Sequence, residues 1–475
     1  MLYKGFVGGS NVSRSPIADC ERTVNLLAEV IQSAGAKTVA ALYDYPGMSS
    51  LFSVVQGPVK AIGYQDGRGF AVIGFKLYEF FADWTTTDRG DVASDTNPAT
   101  ISFNSHGGEV FITSGNEGYI FTLATNVLTN VISDATMGGF IDGYFVALDA
   151  ATSSFRISDL EDGLTWDVLQ VAIRQGAGDP WVSMTVKNRE IWLMGSETGE
   201  VWVNVGAYPF PFAMIQQGLI QKGNAAPFSA ATIEDQMFWL MANIQGDGVV
   251  CMSQGYQGVK ISTHAVDLAI QGYGTISDAV GYTYQMQGHT LYVLNFPTAN
   301  ATWVYDLSTG LWTERLLRNS TTGQWEAHRG ICHAFAFGTH VIGDRSTGTV
   351  YEEDIDIYTD AGEVPLRRLR VGPHFNLEGQ FLFFHRFQLD METGVGLVTG
   401  QGSDPQIMLR WSNDGGRTWG NEMWTTAGAI GGYQTRAIWR RLGAARDRVF
   451  EVSFTDPVPF RLNNAWIDVT AGVAA

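Results

Sequence analysis

A short acidic segment carries residues that could perform acid–base chemistry. Asp159, Glu161 and Asp162 lie together in "SDLEDG". Two carboxyl groups held about 5–10 Å apart across a cleft can act as acid and base in glycoside hydrolysis. Solvated carboxylates in a loop are far more common than such pairs, so we expect these three to be loop residues.

A second cluster contains side chains that bind metals. The segment "EAHRGICH" holds Glu326, His328, Cys332 and His333. A structural zinc site needs two spaced pairs of ligands, and the sequence shows no second Cys/His pair. Small residues alternate with His and Phe in "ICHAFAFG", which indicates a buried strand. The acidic run 351–363, "YEEDIDIYTDAGE", lacks the spacing of a calcium loop and predicts a solvated edge or the wall of an acidic channel. We therefore expect no metal and no cofactor.

The stretch "WSNDGGRTW", residues 411–419, has the composition of a tight turn. Asp can bond to backbone N–H groups downstream of it, and Gly adopts positive φ without steric cost. Apolar residues alternate on either side, which predicts a β-hairpin. The sequence pattern resembles the Asp-box, a small hairpin of sialidases and other β-propellers. Its matching positions are Ser412, Asp414, Gly416, Thr418 and Trp419.

A sialidase would need more than this turn. It also has an arginine trio, a Tyr–Glu nucleophile pair and a Phe-Arg-Ile-Pro start. Here Phe-Arg-Ile is followed by Ser158 where proline belongs. The Asp-box is structural even in those enzymes, so we expect a structural turn and a protein that is not an enzyme.

The composition favours many short strands. Charged residues make up 16% of the 475 residues, and there are 55 Gly, 27 Phe, 17 Tyr and 14 Trp. Aromatic residues favour strands, and Gly favours the turns between them. The net charge of −18 argues against binding to duplex DNA, which needs cationic side chains. Three widely spaced cysteines imply no disulfide framework. With no signal-peptide pattern and no long apolar run, we expect no membrane span and synthesis in a cytosol.

Short apolar strand–turn–strand segments recur through most of the chain. Their spacing of about 35–55 residues suits the blades of a β-propeller better than helical repeats. We predict an all-β chain with a propeller of six or seven blades, and a pair of β-sandwiches as the alternative. The segments are 70–80, 109–123, 144–158, 190–204, 237–252, 290–306 and 340–354.

Three segments are expected along the chain. Residues 1–50 do not fit the repeat, and 18–35 could form a helix or an extended strand. Residues 51–365 form the propeller. Residues 366–475 form a further β-sandwich-like domain, because the composition changes there. This last part contains 12 Arg, no Lys and 10 acidic residues, a net charge of +2, whereas the remainder has a net charge of −20.

Arginine clusters in the last segment are candidates for a protein interface. Arg is favoured at interfaces and pairs with carboxylates through two hydrogen bonds. A solubilising strand face is the equally weighted alternative. The candidates are Arg367, Arg368, Arg370, Arg436, Arg440, Arg441, Arg446 and Arg448.

Both ends of the chain resemble a known family. The tail, from "LRWSNDGGRTWGNEMW" to "RLNNAWIDV", is similar to the C-terminal signature of packaged-DNA stabilisation proteins of short-tailed (podovirus) bacteriophages. The start, "ERTVNLLAEV…AGAKTVAALYDYPGMSSL", resembles the opening of the same family. The middle matches only by pattern.

The resemblance implies a structural protein of the virion tail, assembled in the host bacterial cytoplasm. Such proteins form the tail hub as a ring, typically of six copies, below the portal-adaptor ring. They close the DNA exit channel after packaging, and the tail needle and tailspikes attach at or near them. DNA would pass without sequence-specific binding, since acidic surface repels phosphate. The alternative is a tail propeller that binds or hydrolyses glycans.

Overall fold

The seven recurring segments form the two central strands of seven successive antiparallel sheets. The fold is known here from a computed structural model, which describes residues 1–472 apart from residues 34, 243–247 and 363. The predicted all-β propeller is confirmed, and the described residues give it seven blades.

Each blade is a small sheet that runs outward from the centre of the ring. Blades 1 to 4 consist of the strands Val59–Gln65, Arg68–Ile73, Lys76–Phe80 and Thr86–Asp91; Thr100–Phe103, Glu109–Ser114, Glu117–Thr122 and Val127–Ser133; Met137–Ile141, Tyr144–Asp149, Ser154–Ile157 and Val171–Ile173; Trp181–Lys187, Glu190–Gly195, Gly199–Asn204 and Phe212–Met214. Blades 5 to 7 consist of Gly223–Asn224, Ala231–Ile233, Gln236–Ala242, Val249–Gln254 and Gln257–Lys260; Val280–Met286, His289–Phe296, Ala301–Asp306 and Leu311–Glu314; Gly330–Ala336, Thr339–Asp344, Gly348–Asp354 and Gly47–Val54.

The central strands are apolar on both faces because a neighbouring blade covers each side. In blade 1, Phe70, Ala71, Val72 and Ile73 are all fully buried. A strand covered on both faces reads as a continuous apolar run rather than an alternating one. Burial of these strands on both faces thus explains why apolar segments recur in the sequence.

The ring closes between the first and last parts of the propeller. The strand Gly47–Val54 is the fourth strand of blade 7, where it pairs with Gly348–Asp354. The innermost strand of blade 7 in turn packs against that of blade 1. Closure leaves no open end to the ring of blades.

A β-sandwich is attached to blade 6, as predicted for the C-terminal region. The last strand of blade 6 continues through Cys20–Val24 into a first sandwich sheet, and a second sheet packs on it. The first sheet contains Asn11–Val12, Cys20–Val24, Arg368–Val371, Phe375–Asn376, Gln406–Ser412, Met423–Thr426 and Asp447–Phe454. The second contains Leu26–Val30, Ala40–Asp44, Leu382–Met391, Ile438–Arg440, Ala444–Ala445 and Leu462–Ala471.

Aromatic side chains fill the space between the two sandwich sheets. Phe450 of the first sheet stacks on Phe387 of the second, with ring centroids 4.8 Å apart. Tyr3 and Phe6 are buried in the same cluster. Few elements lie outside the blades and sandwich: the helix His264–Gln271, the 3-10 turn Pro227–Ser229, and the two-stranded ribbons Leu316–Arg318 with Trp325–Ala327 and Thr359–Asp360 with Val364–Pro365.

The segment 18–35, which could have been helix or strand, contains strands and no helix among its described residues. It forms the strands Cys20–Val24 and Leu26–Val30, which belong to different sandwich sheets. Asn25 between them has φ +56° and donates to the carbonyls of Leu316 and Arg367. The division at 50 and 365 stays a prediction, and the strands of the first 44 residues lie in the sandwich.

A pair of aliphatic truncations tests how residues 1–50 contribute to stability. Leu26 is fully buried in the sandwich, whereas Val39 is 82% exposed. We expect Leu26→Ala to lower the free energy of unfolding by about 2–5 kcal/mol. Val39→Ala should change it by less than about 0.5 kcal/mol. Urea unfolding followed by tryptophan fluorescence measures both, and equal effects would contradict a sandwich core that includes Leu26.

Candidate functional site

The Asp-box-like turn is held by hydrogen bonds among its own residues. The Ser412 hydroxyl donates to Asp414 Oδ1 at 2.6 Å and accepts from the Gly416 N–H at 2.8 Å. The Asp414 carboxylate also accepts from the N–H and the hydroxyl of Thr418, at 2.9 and 2.6 Å. These bonds, from Ser412 first and then Thr418, lower the pKa of Asp414. The carboxylate is therefore an acceptor for its own turn.

Trp419 sets the turn against the first sandwich sheet. Its half-buried ring packs on the cluster that includes Cys20 and Val24. The Arg410 guanidinium lies 4.9 Å from the ring centroid and binds Glu451 through two hydrogen bonds of 2.6 and 2.8 Å. The turn thus lies in the sandwich rather than in a propeller blade. Its role as a structural corner stays a prediction.

The eight candidate interface arginines fall into different environments. Arg368, Arg370 and Arg448 are buried, Arg367 is half-buried, and the other four are exposed: Arg436, Arg440, Arg441 and Arg446. Arg367 donates to Glu422 and Ser453. The three buried residues cannot present a guanidinium to a partner, so the interface prediction is corrected for them.

Arg368 joins three distant parts of the sandwich. Its Nε donates to Asp44 Oδ1 at 2.7 Å, and its Nη atoms donate to the carbonyls of Asp456 and Val458 at 2.8 and 3.1 Å. The second oxygen of Asp44 accepts from the Phe460 N–H at 2.7 Å. Each charge is thus met by fixed partners, which is the condition for burying it.

Arg370 is enclosed by the start of the chain. It donates to the carbonyls of Phe6, Gly5 and Gly9 and pairs with Glu21. The segment 5–21 therefore wraps around one guanidinium.

Arg448 has no carboxylate partner among the described residues. It donates to Asn413 Oδ1 at 2.8 Å and to the Leu442 carbonyl at 2.5 Å, with Phe384 4.3 Å from its Cζ. Burial lowers its pKa to about 10.

One exposed arginine, Arg446, lies beside two exposed phenylalanines, and two others lie near the same strand. Phe381 and Phe383 lie edge to face at 5.6 Å, and Arg446 lies over Phe381 at 5.9 Å. Phe383 pairs with Ala444, and the Arg441 N–H donates to the His385 carbonyl on the same strand as Phe383. We define the arginine face, on the second sandwich sheet, as Phe381, Phe383, Arg440, Arg441 and Arg446. Neither phenylalanine was predicted from the sequence, because "FLFF" is apolar at every position and gives no alternation.

The acidic triad consists of loop residues. Asp162 accepts from the Leu164 N–H at 3.0 Å and the Thr165 hydroxyl at 2.8 Å. Asp159 accepts from Gln170, and Glu161 from Ser105. Each carboxylate thus binds a different neighbour, in a loop of blade 3.

The Glu/His/Cys cluster is spread over several sites. Glu326 accepts from Asn319, and His333 bonds to His340 at 3.0 Å. Burial raises the pKa of Cys332 to about 12, and burial lowers the pKa of His328. Within the described ranges, no group of three or more His, Cys, Asp or Glu is placed to hold a metal ion.

The acidic run 351–363 is solvated only in part: Asp354 and Asp356 are exposed, whereas Glu353 and Asp360 are buried, which corrects the prediction of a solvated edge or channel wall for the last two. Glu353 is buried and pairs with Arg315. Asp360 is buried and pairs with Arg329 at 3.2 Å. Ion pairs with arginines, rather than solvent, compensate these two charges. Residue 363 lies outside the described residues.

No helix in the described part of the chain has the length and hydropathy of a membrane span.

Comparison with known proteins gives two family matches. The model "Bacteriophage P22 Gp10, beta-propeller" matches residues 20–358, and "Bacteriophage P22 Gp10, beta-sandwich" matches residues 367–470. A search of curated proteins finds no match. Among solved structures, the N-terminal domain of Nup159 aligns at 11% identity and TM-score 0.40, over 70% of this chain and 98% of that one. The Pan2 WD40 domain of Neurospora crassa aligns at 11% identity and TM-score 0.42, over 65% and 96%.

Truncation of a buried arginine tests its structural role. Arg368→Ala leaves Asp44 buried without its partner, so we expect a loss of about 3–5 kcal/mol in the free energy of unfolding. Arg436→Ala, at an exposed arginine, should cost less than about 0.5 kcal/mol. Chemical denaturation measures both. A similar small effect of the two substitutions would show that Arg368 is not structurally important.

The half-buried His333 predicts a pH dependence of stability. Burial first, then His340 and Arg315, lower the pKa of His333 to about 3, whereas in the unfolded chain it is about 6.5. Between these values the unfolded state binds more protons, so stability falls as the pH is lowered from about 6.5 toward 3.

Replacement of this histidine isolates its contribution. We expect the free energy of unfolding of His333→Gln to fall less than that of the wild type across this window. Above about pH 7 the two profiles should run parallel, because the histidine is then neutral in both states. Denaturant titrations at a series of pH values measure this, and profiles that stay parallel below pH 6 would contradict it.

Proposed function

The chain belongs to the family of bacteriophage P22 Gp10, and on this premise we propose that it is the hub subunit of a short phage tail. Membership makes it a phage structural protein concerned with stabilising packaged DNA. The proposed hub docks below the portal-adaptor ring as a hexameric ring and closes the DNA exit channel. The tail needle and tailspikes attach to it. The match of propeller and sandwich models, in order along the same chain, carries this proposal.

The distribution of charge supports retention by closure rather than by DNA binding. The first 365 residues have a net charge of −20, and the last 110 have a net charge of +2. An acidic surface repels the phosphate backbone, so DNA can slide past without adhering. DNA held by such a protein must be retained by a physical barrier. This is the reason for proposing a closed exit and no sequence-specific DNA contact.

The exposed arginines support docking to protein surfaces. Arg436, Arg440, Arg441 and Arg446 form no ion pair with any residue that the structure describes. Guanidinium groups beside aromatic rings are typical of protein interfaces. We propose these four, rather than the buried arginines, as the interface residues.

A glycan-binding or glycan-hydrolysing tail propeller is the competing function. Its motivation is the Asp-box-like turn, which joins two strands of the sandwich and not of a blade. In the acidic triad, its other motivation, Asp159 and Asp162 accept hydrogen bonds from their own loop, and Glu161 accepts one from Ser105 of blade 2. We therefore propose no enzymatic activity.

Loss of packaged DNA is the expected result of omitting the protein. Phage particles assembled without it should package DNA and then release it, because the exit is left open. Adding purified protein directly after packaging should retain the DNA, which is measured as nuclease-resistant DNA over time. The Val39→Ala variant, altered at an exposed position, should act like the wild type. Heads that stay full without the protein at physiological salt would contradict the proposal. Purified tails incubated with surface glycans distinguish the alternative, which requires turnover or binding.

A further inference from the structure

Blade 3 carries an exposed apolar segment at its outer edge. The blade 3 segment, residues 158–173, includes the connection to the outermost strand and the strand Val171–Ile173 itself. Six of its large apolar side chains are between 37% and 79% exposed. They are Leu160, Leu164, Val168, Leu169, Val171 and Ile173. Exposed apolar residues concentrated in one segment mark an interaction surface.

The same segment is acidic. Asp159, Glu161, Asp162 and Asp167 lie within it, and it contains no Lys or Arg. None of these four carboxylates forms an ion pair with a described residue, although each accepts a hydrogen bond from a neutral group. The blade 3 segment thus presents exposed apolar side chains together with carboxylates that have no ion-pair partner.

The arginine face has the opposite character. Phe381 and Phe383 are 38% and 45% exposed, and Arg446 lies over Phe381. Arg440 and Arg441 are exposed near the same strand, and none of the three arginines has an ion-pair partner among the described residues. The two surfaces therefore match in both respects. Each offers exposed apolar side chains, and their unpaired charges have opposite sign.

Within one molecule these surfaces are far apart in the architecture. The arginine face lies on the sandwich, which is attached to blade 6. In a ring of seven blades, blade 3 is three positions away from blade 6, close to the opposite side. The two surfaces therefore lie on distant parts of the molecule and cannot contact each other within one copy.

We propose that the arginine face of one copy binds the blade 3 segment of the next copy. Contact between two different surfaces of identical chains is heterologous, and repetition of such a contact generates a ring when the rotation closes. The proposal deepens the proposed function, on whose ring it rests, by naming the two surfaces that meet. Phe381 and Phe383 would pack on the blade 3 aliphatic side chains, and the arginines would bind the carboxylates through paired hydrogen bonds.

Cross-linking of single-cysteine additions tests which surfaces meet. A chain with Phe383→Cys is mixed with a chain with Val168→Cys at high concentration and treated with a short bismaleimide. The native thiols are buried or half-buried, and burial raises the pKa of Cys332 to about 12, so they react poorly. We expect a covalent pair that joins residue 383 to residue 168 in the mixture and none in either chain alone. A 383–383 or 168–168 product would overturn the proposal, as would no product under conditions in which sedimentation shows association.

Charge exchange gives a second test in assembled particles. The double variant Arg440→Glu, Arg441→Glu makes the arginine face acidic, so that it repels the acidic blade 3 segment of the next copy. The double variant Glu161→Lys, Asp167→Lys makes the blade 3 segment basic, so that it repels the arginine face of the next copy. Each double variant alone should lose ring assembly on DNA-filled heads. A mixture of the two double variants should regain ring assembly when they alternate around the ring. The acidic arginine face of one then meets the basic blade 3 segment of the other, and their two unchanged surfaces meet at the next contact. Arg14→Glu with Arg417→Glu, at exposed arginines elsewhere, is the matched control and should assemble normally.

The outcomes separate this inference from the hub function. If the wild type retains DNA while the mixture is not rescued, the pairing of the two surfaces is wrong and the hub function stands. If the wild type itself does not retain DNA, the hub function is wrong, whatever the cross-links show.

Discussion

Backbone pairing along one short strand, Cys20–Val24, joins the propeller to the sandwich. Val24 pairs with Glu314 of blade 6 on one side and with Leu369 of the sandwich on the other. Arg22 reinforces the first junction, since its Nε donates to Glu314 at 2.9 Å. The sheet of blade 6 thereby continues into the sandwich without a flexible linker. The position of every sandwich surface relative to the blades depends on this strand.

The amino-acid sequence allowed the blades to be predicted because their signal is local. Two adjacent strands covered on both faces give a long apolar segment with a polar turn, which a linear pattern shows directly. The same logic failed for segment 18–35, whose strands pair with residues far along the chain. Its partners Glu314 and Leu369 leave no trace in the local periodicity. The pattern there was compatible with a helix as well.

The arginines show what composition cannot tell about a site. Arg370 and Arg440 occur in similar clusters, yet carbonyl groups of residues 5, 6 and 9 enclose the first and solvent surrounds the second. Only the packing of the chain decides which guanidinium groups are buried and hydrogen-bonded within the molecule. Likewise Glu353 and Asp360, within a run that suggested a solvated surface, pair with the buried Arg315 and the half-buried Arg329. The charges left for partners are those that the fold does not pair.

The closing strand of blade 7 has a consequence for how the nascent chain folds. Ser49 bonds to Glu352, a separation of 303 residues, and Asp44 meets Arg368 across 324 residues. During synthesis on the ribosome, the strands that emerge first must wait for the complements that emerge last. Contacts between residues so far apart in the sequence slow folding. Until they form, unpaired strand edges promote aggregation. Blades 1 to 6 consist of consecutive segments and can form as they emerge. The propeller therefore becomes a closed ring, with its sandwich in place, only after nearly the whole chain has been translated.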